Sequence, residues 1–124
     1  MSSRLSQFAG QKYLSLETYR KNGDAVRTPV WFVESDGILY VRTSEDTGKY
    51  KRIRNNPGVQ VAPCNSRGRP KGAWVKAEAK TASKEDSERA FSLLAQKYGI
   101  MYRMMGTFLR GKDYVILQIR FTEG

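Results

Sequence analysis

Met1–Gln11 carries a weak helical pattern through Leu5, Phe8 and Ala9, which predicts a short helix packed across the end of a barrel. The period then changes. From Tyr13 to Tyr19 the side chains alternate, with Tyr13, Ser15, Glu17 and Tyr19 on one side and Leu14, Leu16 and Thr18 on the other. A period of two predicts a strand. Asn22-Gly23 follows as a hairpin turn, because both central residues tolerate positive φ. Ala25–Ser35 returns as a second strand, Asp36-Gly37 repeats the turn chemistry, and Ile38–Thr43 forms a third. Two tight hairpins in succession predict an antiparallel meander. Pro29 has no N–H to give to a ladder, so its strand lies at a sheet edge or is bulged there.

Ser44–Asn56 breaks the strand pattern. Ser44, Asp46 or Thr47 can cap a short helix in which Tyr50 and Ile53 share a face. Asn55-Asn56-Pro57-Gly58 ends it, since proline disfavours helix at the residue before itself. Val59–Cys64 is a fourth strand, 65–72 a polar glycine-rich loop, and Ala73–Lys80 a fifth strand. In the fifth strand Ala73, Val75, Ala77 and Ala79 face in, while Trp74, Lys76, Glu78 and Lys80 face out. Ser83 with Glu85 and Asp86 reads as a helix start. Phe91, Leu94, Ala95 and Tyr98 make one apolar stripe, and Gly99 is the C-cap. Tyr114–Phe121 is the last strand. The order β-β-β-α-β-β-α-β closes as a small mixed barrel, mainly β (α+β), with helices at its openings. Ile100–Lys112 interleaves Met101, Tyr102, Met104, Met105, Phe108 and Leu109 with Arg103 and Arg110. It fits a membrane-surface or partner-binding helix, a crossover packed on the barrel, or a pocket cover.

At 124 residues the expectation is one domain over 1–124, large enough to bury about two-thirds of its unfolded surface. No apolar run reaches the roughly 18 residues of a membrane span and no secretory leader opens the chain, which predicts a soluble, cytoplasmic protein. Cys64 is alone, so the chain makes no internal disulfide and has no thiolate pair for a metal. Charge changes the picture more. Lys and Arg outnumber Asp and Glu 22 to 12, giving +10 with no histidine. The partners expected are therefore anions: nucleic acid, a membrane surface or a phosphorylated small molecule. Without imidazole there is no Ser-His-Asp triad, no Cys-His pair and no histidine-bound zinc. If the chain is an enzyme, a cofactor carries the hard chemistry.

Two stretches are candidates for binding an anion. Lys49 sits just inside a helix start after Thr47-Gly48, where free N–H groups and a partial positive charge attract phosphate. The hydroxyls of Thr43, Ser44 and Thr47 are further donors, and Arg27 and Arg42, on neighbouring strands, can reach the same anion with planar forks. The competing reading is a solvated basic helix face. Arg67-Gly68-Arg69-Pro70 matches the core of an AT-hook, which enters the DNA minor groove. It joins two well-patterned strands, however, and its composition is that of any hairpin loop, so nucleic acid is not the expected partner.

Arg27-Thr28-Pro29-Val30-Trp31-Phe32, the turn Asp36-Gly37, Leu39-Tyr40-Val41-Arg42-Thr43, Gly48-Lys49 and Asn56-Pro57-Gly58-Val59 together resemble the FMN-binding split-barrel superfamily. Within it the chain looks most like the pyridoxamine-phosphate-oxidase-like proteins that bind the deazaflavin coenzyme F420. The likeness extends through Val61-Ala62-Pro63-Cys64, Arg67-Gly68-Arg69, Trp74-Val75 and Lys97-Tyr98-Gly99. It implies a homodimeric, six-stranded antiparallel split β-barrel with flanking helices, a flavin-like cofactor at the subunit interface and a small conjugated molecule as substrate. By the same resemblance Lys49 is the phosphate-binding lysine, with Thr47 before it. Arg42 and Thr43 end the strand that meets the phosphate. Arg27, Thr28, Pro29 and Val30 run their backbone along the ring, and Trp74 completes the pocket of the opposite subunit. The chain ends at Gly124 without the C-terminal substrate segment of true pyridoxamine phosphate oxidases, so vitamin B6 oxidation is not implied. F420, with its phospholactyl linker and oligoglutamate tail, suits a basic rim better than FMN, the alternative. A non-catalytic binder is the other class considered: a flavin or F420 carrier or, less expected, a basic nucleic-acid-binding barrel. No metal is expected. No catalytic residue is assigned; Tyr102 and Tyr114 are candidate proton donors by type.

Overall fold

The computed structural model describes residues 3–99 and 114–122. Along the chain lie α1 (Ser3–Ser6), β1 (Tyr13–Tyr19), β2 (Ala25–Val30), β3 (Phe32–Ser35) and β4 (Ile38–Ser44). They are followed by α2 (Gly48–Asn55), β5 (Gly58–Cys64), β6 (Val75–Thr81), α3 (Lys84–Tyr98) and β7 (Tyr114–Phe121). The strands form one seven-stranded sheet in the order β2-β1-β5-β6-β7-β4-β3, with every strand pair antiparallel. It is the expected mainly β split barrel.

The seventh strand comes from a division. The second strand expected from the sequence, Ala25–Ser35, is interrupted at Trp31, and its halves lie at opposite edges of the sheet. Its first half pairs with β1, placing Arg27 opposite Glu17, and its second pairs with β4, placing Phe32 opposite Val41. A sheet that curls brings its two edges together, and one covalent stretch can then serve both. Counted as one bent strand, Ala25–Ser35 restores the six expected. Pro29 sits opposite Ser15 in β2, an edge strand, where a missing N–H costs no ladder bond on the far side. Asp36 and Gly37 both have positive φ, 54° and 82°, as the tight β3–β4 turn requires.

The bend takes backbone polar groups out of the regular ladder, and such groups need other partners when buried. The end of α3 supplies them. The Tyr98 hydroxyl accepts the Phe32 N–H at 2.9 Å and lies 2.7 Å from the Lys12 carbonyl oxygen and 2.9 Å from that of Phe32. Lys97 Nζ donates to the Phe32 carbonyl at 2.8 Å and rests 3.7 Å above the Phe32 ring. Trp31 stacks on Tyr98 with centroids 4.3 Å apart and planes 7° from parallel. Burial pulls the Lys97 amine down to about 8 and pushes the Tyr98 hydroxyl up to about 12.

Inside the barrel Leu14, Leu16, Leu39, Val41, Val61, Leu117 and Ile119 make one cluster, which Phe8 and Ile53 join from the chain start and from α2. A second cluster lies outside, where Ala90 and Leu94 of α3 cover Val33, Tyr40 and Ile116. Ser83 caps α3 by accepting the Asp86 N–H, Glu85 and Asp86 occupy its first turn, and Gly99 ends it at φ 59°. Among the described residues before β1 only Ser3–Ser6 is helical, yet the segment packs as expected. The Gln7 amide grips Ala73 from both sides, accepting its N–H at 2.9 Å and donating to its carbonyl at 2.8 Å. The AT-hook-like loop is a compact turn rather than a free arm. The Asn65 side-chain oxygen accepts the N–H groups of Arg67 and Arg69, and Gly68, at φ 85°, lies against Pro29. Ile100–Lys112 and Tyr102 lie outside the described residues. Among those described, no helix is long and apolar enough to cross a membrane.

Candidate functional site

Thr47 is the cap of α2. Its hydroxyl donates to the Ser44 carbonyl at 2.8 Å and accepts the Tyr50 N–H at 3.4 Å, and Thr43 Oγ1 stands 3.2 Å from it. Of the three capping candidates, Thr47 is therefore the one used, while Ser44 Oγ bonds the Asp46 carboxylate. These hydroxyls were expected to reach an anion. The structure commits the Thr47 proton to fixing the helix start, so the donors left at that turn are backbone N–H groups. Lys49 stands half-buried in this turn, which holds no acidic residue. Burial, then the Arg52 charge, lowers the Lys49 pKa. A cation held where burial and a like charge oppose it matches the demand of a bound phosphate.

Arg27 and Trp74 are brought together within one chain. The Arg27 guanidinium lies 4.6 Å from the Trp74 ring centroid, and its Nε donates to Glu17 at 2.6 Å. Glu17, with only 6 % of its side chain exposed, also accepts the Tyr19 hydroxyl at 2.6 Å and Gln60 Nε2 at 3.3 Å. Burial works against this carboxylate, but Tyr19 and Arg27 together outweigh it and hold its pKa below the usual range. The network lies on the outer face of the sheet beside Pro29, and the sequence reading missed it. The available signal was a glutamate at an alternating strand position opposite an arginine.

The sign of the Glu17 shift sets a pH dependence. A carboxyl whose pKa is depressed by folding stabilises the fold above its unfolded pKa of about 4.3, and that stability fades as pH falls through the folded value. Glu17→Gln is expected to cost about 1–3 kcal/mol at pH 7 by urea denaturation, from lost hydrogen bonds to a buried charge. The gap from the parent then closes as pH falls below the ordinary glutamate range. A gap that stays constant to pH 3 would contradict this account.

Arg42 does not join Arg27. β2 and β4 are not neighbours in the sheet, contrary to the expectation. The Arg42 guanidinium packs 3.9 Å from the Tyr114 ring centroid and 5.7 Å from that of Phe91 on α3. Thr43 lies on the opposite face because successive strand residues alternate. Tyr114, one of the two candidate proton donors, is thereby held under Arg42. Thr28 is half-buried and Val30 buried in β2, with Pro29 exposed between them.

The profile of the pyridoxamine 5'-phosphate oxidase family matches residues 3–124. The chain belongs to that family. Solved structures share its fold. A heme storage protein, HutZ from Vibrio cholerae, superposes with a TM-score of 0.73 at 16% identity over 96% of this chain and 87% of that one. An F420 reductase gives 0.64 at 17%, over 98% and 95%. A FAD-binding protein from Mesorhizobium loti gives 0.64 at 19%, over 95% and 84%. No curated protein is significantly similar in sequence. At these identities the neighbours establish the split barrel of the family, and this family member's own residues must argue its ligand.

Proposed function

We propose that the protein is an oxidoreductase that uses coenzyme F420, bound at the interface of a homodimer, with FMN as the nearest alternative. The carrying observation is Lys49: a half-buried cation in the first turn of α2, in a turn with no acidic residue. Lys49 and the N–H groups of that turn hold the cofactor phosphate, and Thr47 with Thr43 fixes where the turn begins. Among the described residues β2 is an edge strand, which supports a reading in which the backbone of Arg27, Thr28, Pro29 and Val30 runs along a planar ring and Trp74 closes the pocket of the partner subunit. Arg42, packed against Tyr114 and Phe91, stays outside this cradle. When bound, F420 supplies a hydride to an electrophilic carbon of a small conjugated molecule. The chain binds, orients and excludes water, which suits a protein without histidine.

A non-catalytic carrier is the second reading, favoured by the fold shared with a heme storage protein. A chain with no histidine offers heme iron no imidazole ligand, which favours a flavin or deazaflavin over heme as the cargo. Side-by-side titration of the purified protein with F420 and FMN is the test, with F420 expected to bind more tightly and one equivalent per chain. Tighter FMN binding would replace the cofactor, and binding of neither would overturn the proposal. Reduced F420 mixed with a panel of enones then separates enzyme from carrier by the return of oxidised absorbance.

A further inference from the structure

The surroundings of the Lys97 amine suit a cation with a single proton to donate. Nζ donates to the Phe32 carbonyl at 2.8 Å. It lies 3.7 Å from the centroid of the Phe32 ring and 5.2 Å from that of Tyr98. No carboxylate of the described residues pairs with it. An ammonium has three N–H donors, and this setting gives it one carbonyl and two aromatic faces. A protonated Schiff base carries the same charge on one N–H, so the same carbonyl and rings satisfy it in full. Phe32 is 1% exposed and belongs to the barrel core, which makes its ring a fixed floor. Lys97 as a residue is exposed, so a solute can reach the amine. The head group nonetheless rests on the ring, and that burial brings its pKa down to about 8. At pH 7 about a tenth of it is then free amine, the nucleophilic form, against fewer than about one in a thousand for an ordinary lysine.

We propose that Lys97 captures the carbonyl group of a small α,β-unsaturated aldehyde or ketone as a Schiff base. The free amine adds to the carbonyl carbon and the C–O bond then breaks. The oxygen leaves as water, with one proton from the amine and one from solvent, and nothing is oxidised or reduced. The remaining iminium N–H keeps the bond to the Phe32 carbonyl, and its charge stays above the Phe32 ring. Half-exposed Trp31, stacked on Tyr98, offers a flat apolar wall to the conjugated part of the molecule. Phe32 lies two residues past Val30, beyond the end of the stretch proposed to run along the cofactor ring. A conjugated iminium draws electron density from its β-carbon, the atom that would receive a hydride. That consequence rests on the oxidoreductase reading, whereas the capture itself needs no cofactor.

Reductive trapping on the intact protein tests this without F420 or FMN. The protein is incubated at pH 7 with cinnamaldehyde, with and without sodium cyanoborohydride, and labelled lysines are located by peptide mass mapping. Lys97 is expected to be labelled at least tenfold faster than Lys84, an exposed lysine at the start of α3, and only when the reductant is present. In urea, where packing on Phe32 is lost, the two rates are expected to converge. Equal rates in the folded protein overturn the inference, as does a difference that persists in urea. Label on Lys97 without reductant also overturns it, because that is conjugate addition to the alkene. Failure of F420 and FMN to bind leaves a trapped Lys97 standing, and cofactor binding beside an unlabelled Lys97 removes this inference alone.

Discussion

Lys49→Ala is expected to fold like the parent and to bind F420 or FMN about 10- to 150-fold more weakly. That is the range for losing one hydrogen bond to a charged group, worth about 1.5–3 kcal/mol. The fold should not suffer, because burial and the charge of Arg52 both oppose the Lys49 ammonium in the chain without ligand. Removing it relieves that opposition, so the melting temperature holds or rises slightly while affinity falls. A purely structural lysine would give the reverse pattern. Fluorescence titration beside a thermal melt reads both quantities, and unchanged affinity for both cofactors would move the phosphate away from α2.

Phe8→Ala is expected to cost about 3–5 kcal/mol, the usual range for emptying a buried aromatic site. Phe8 is 2% exposed and packs edge-on to Phe32 at 5.9 Å and tilted to Phe121 at 6.0 Å. It therefore touches both the divided strand and the last strand of the barrel. Its neighbour Gln7 grips Ala73, whose backbone is exposed. Water replaces those bonds, so Gln7→Ala should cost less than about 1 kcal/mol. Urea denaturation of the two variants measures the contrast. Equal small losses would show that the first residues detach without opening the barrel.

Most of the α2 start was legible because helix caps are local. Thr47 needs only the turn around it to accept the Tyr50 N–H, and Lys49 follows by position. The Glu17 network was not legible. Glu17, Tyr19, Arg27 and Gln60 come from three strands, and their convergence depends on register across β2, β1 and β5. Arg42 illustrates the same limit from the other side. Its neighbour Thr43 was correctly placed near the helix start, but alternation turned Arg42 towards Phe91 of α3 and Tyr114 of β7.

By itself the sequence determined what adjacent residues enforce. Gly23, the positive-φ residue of the first turn, and Asp36-Gly37 set the two hairpins, Ser83 and Gly99 bounded α3, and the absence of histidine excluded whole classes of chemistry. Tertiary structure alone decided that Ala25–Ser35 divides at Trp31 and serves both edges of the sheet. Nothing in the local alternation requires that break. It arises because curling brings β1 and β4 to one stretch of chain, and because Tyr98 and Lys97, more than sixty residues away, supply the Phe32 backbone with the partners the bend removes.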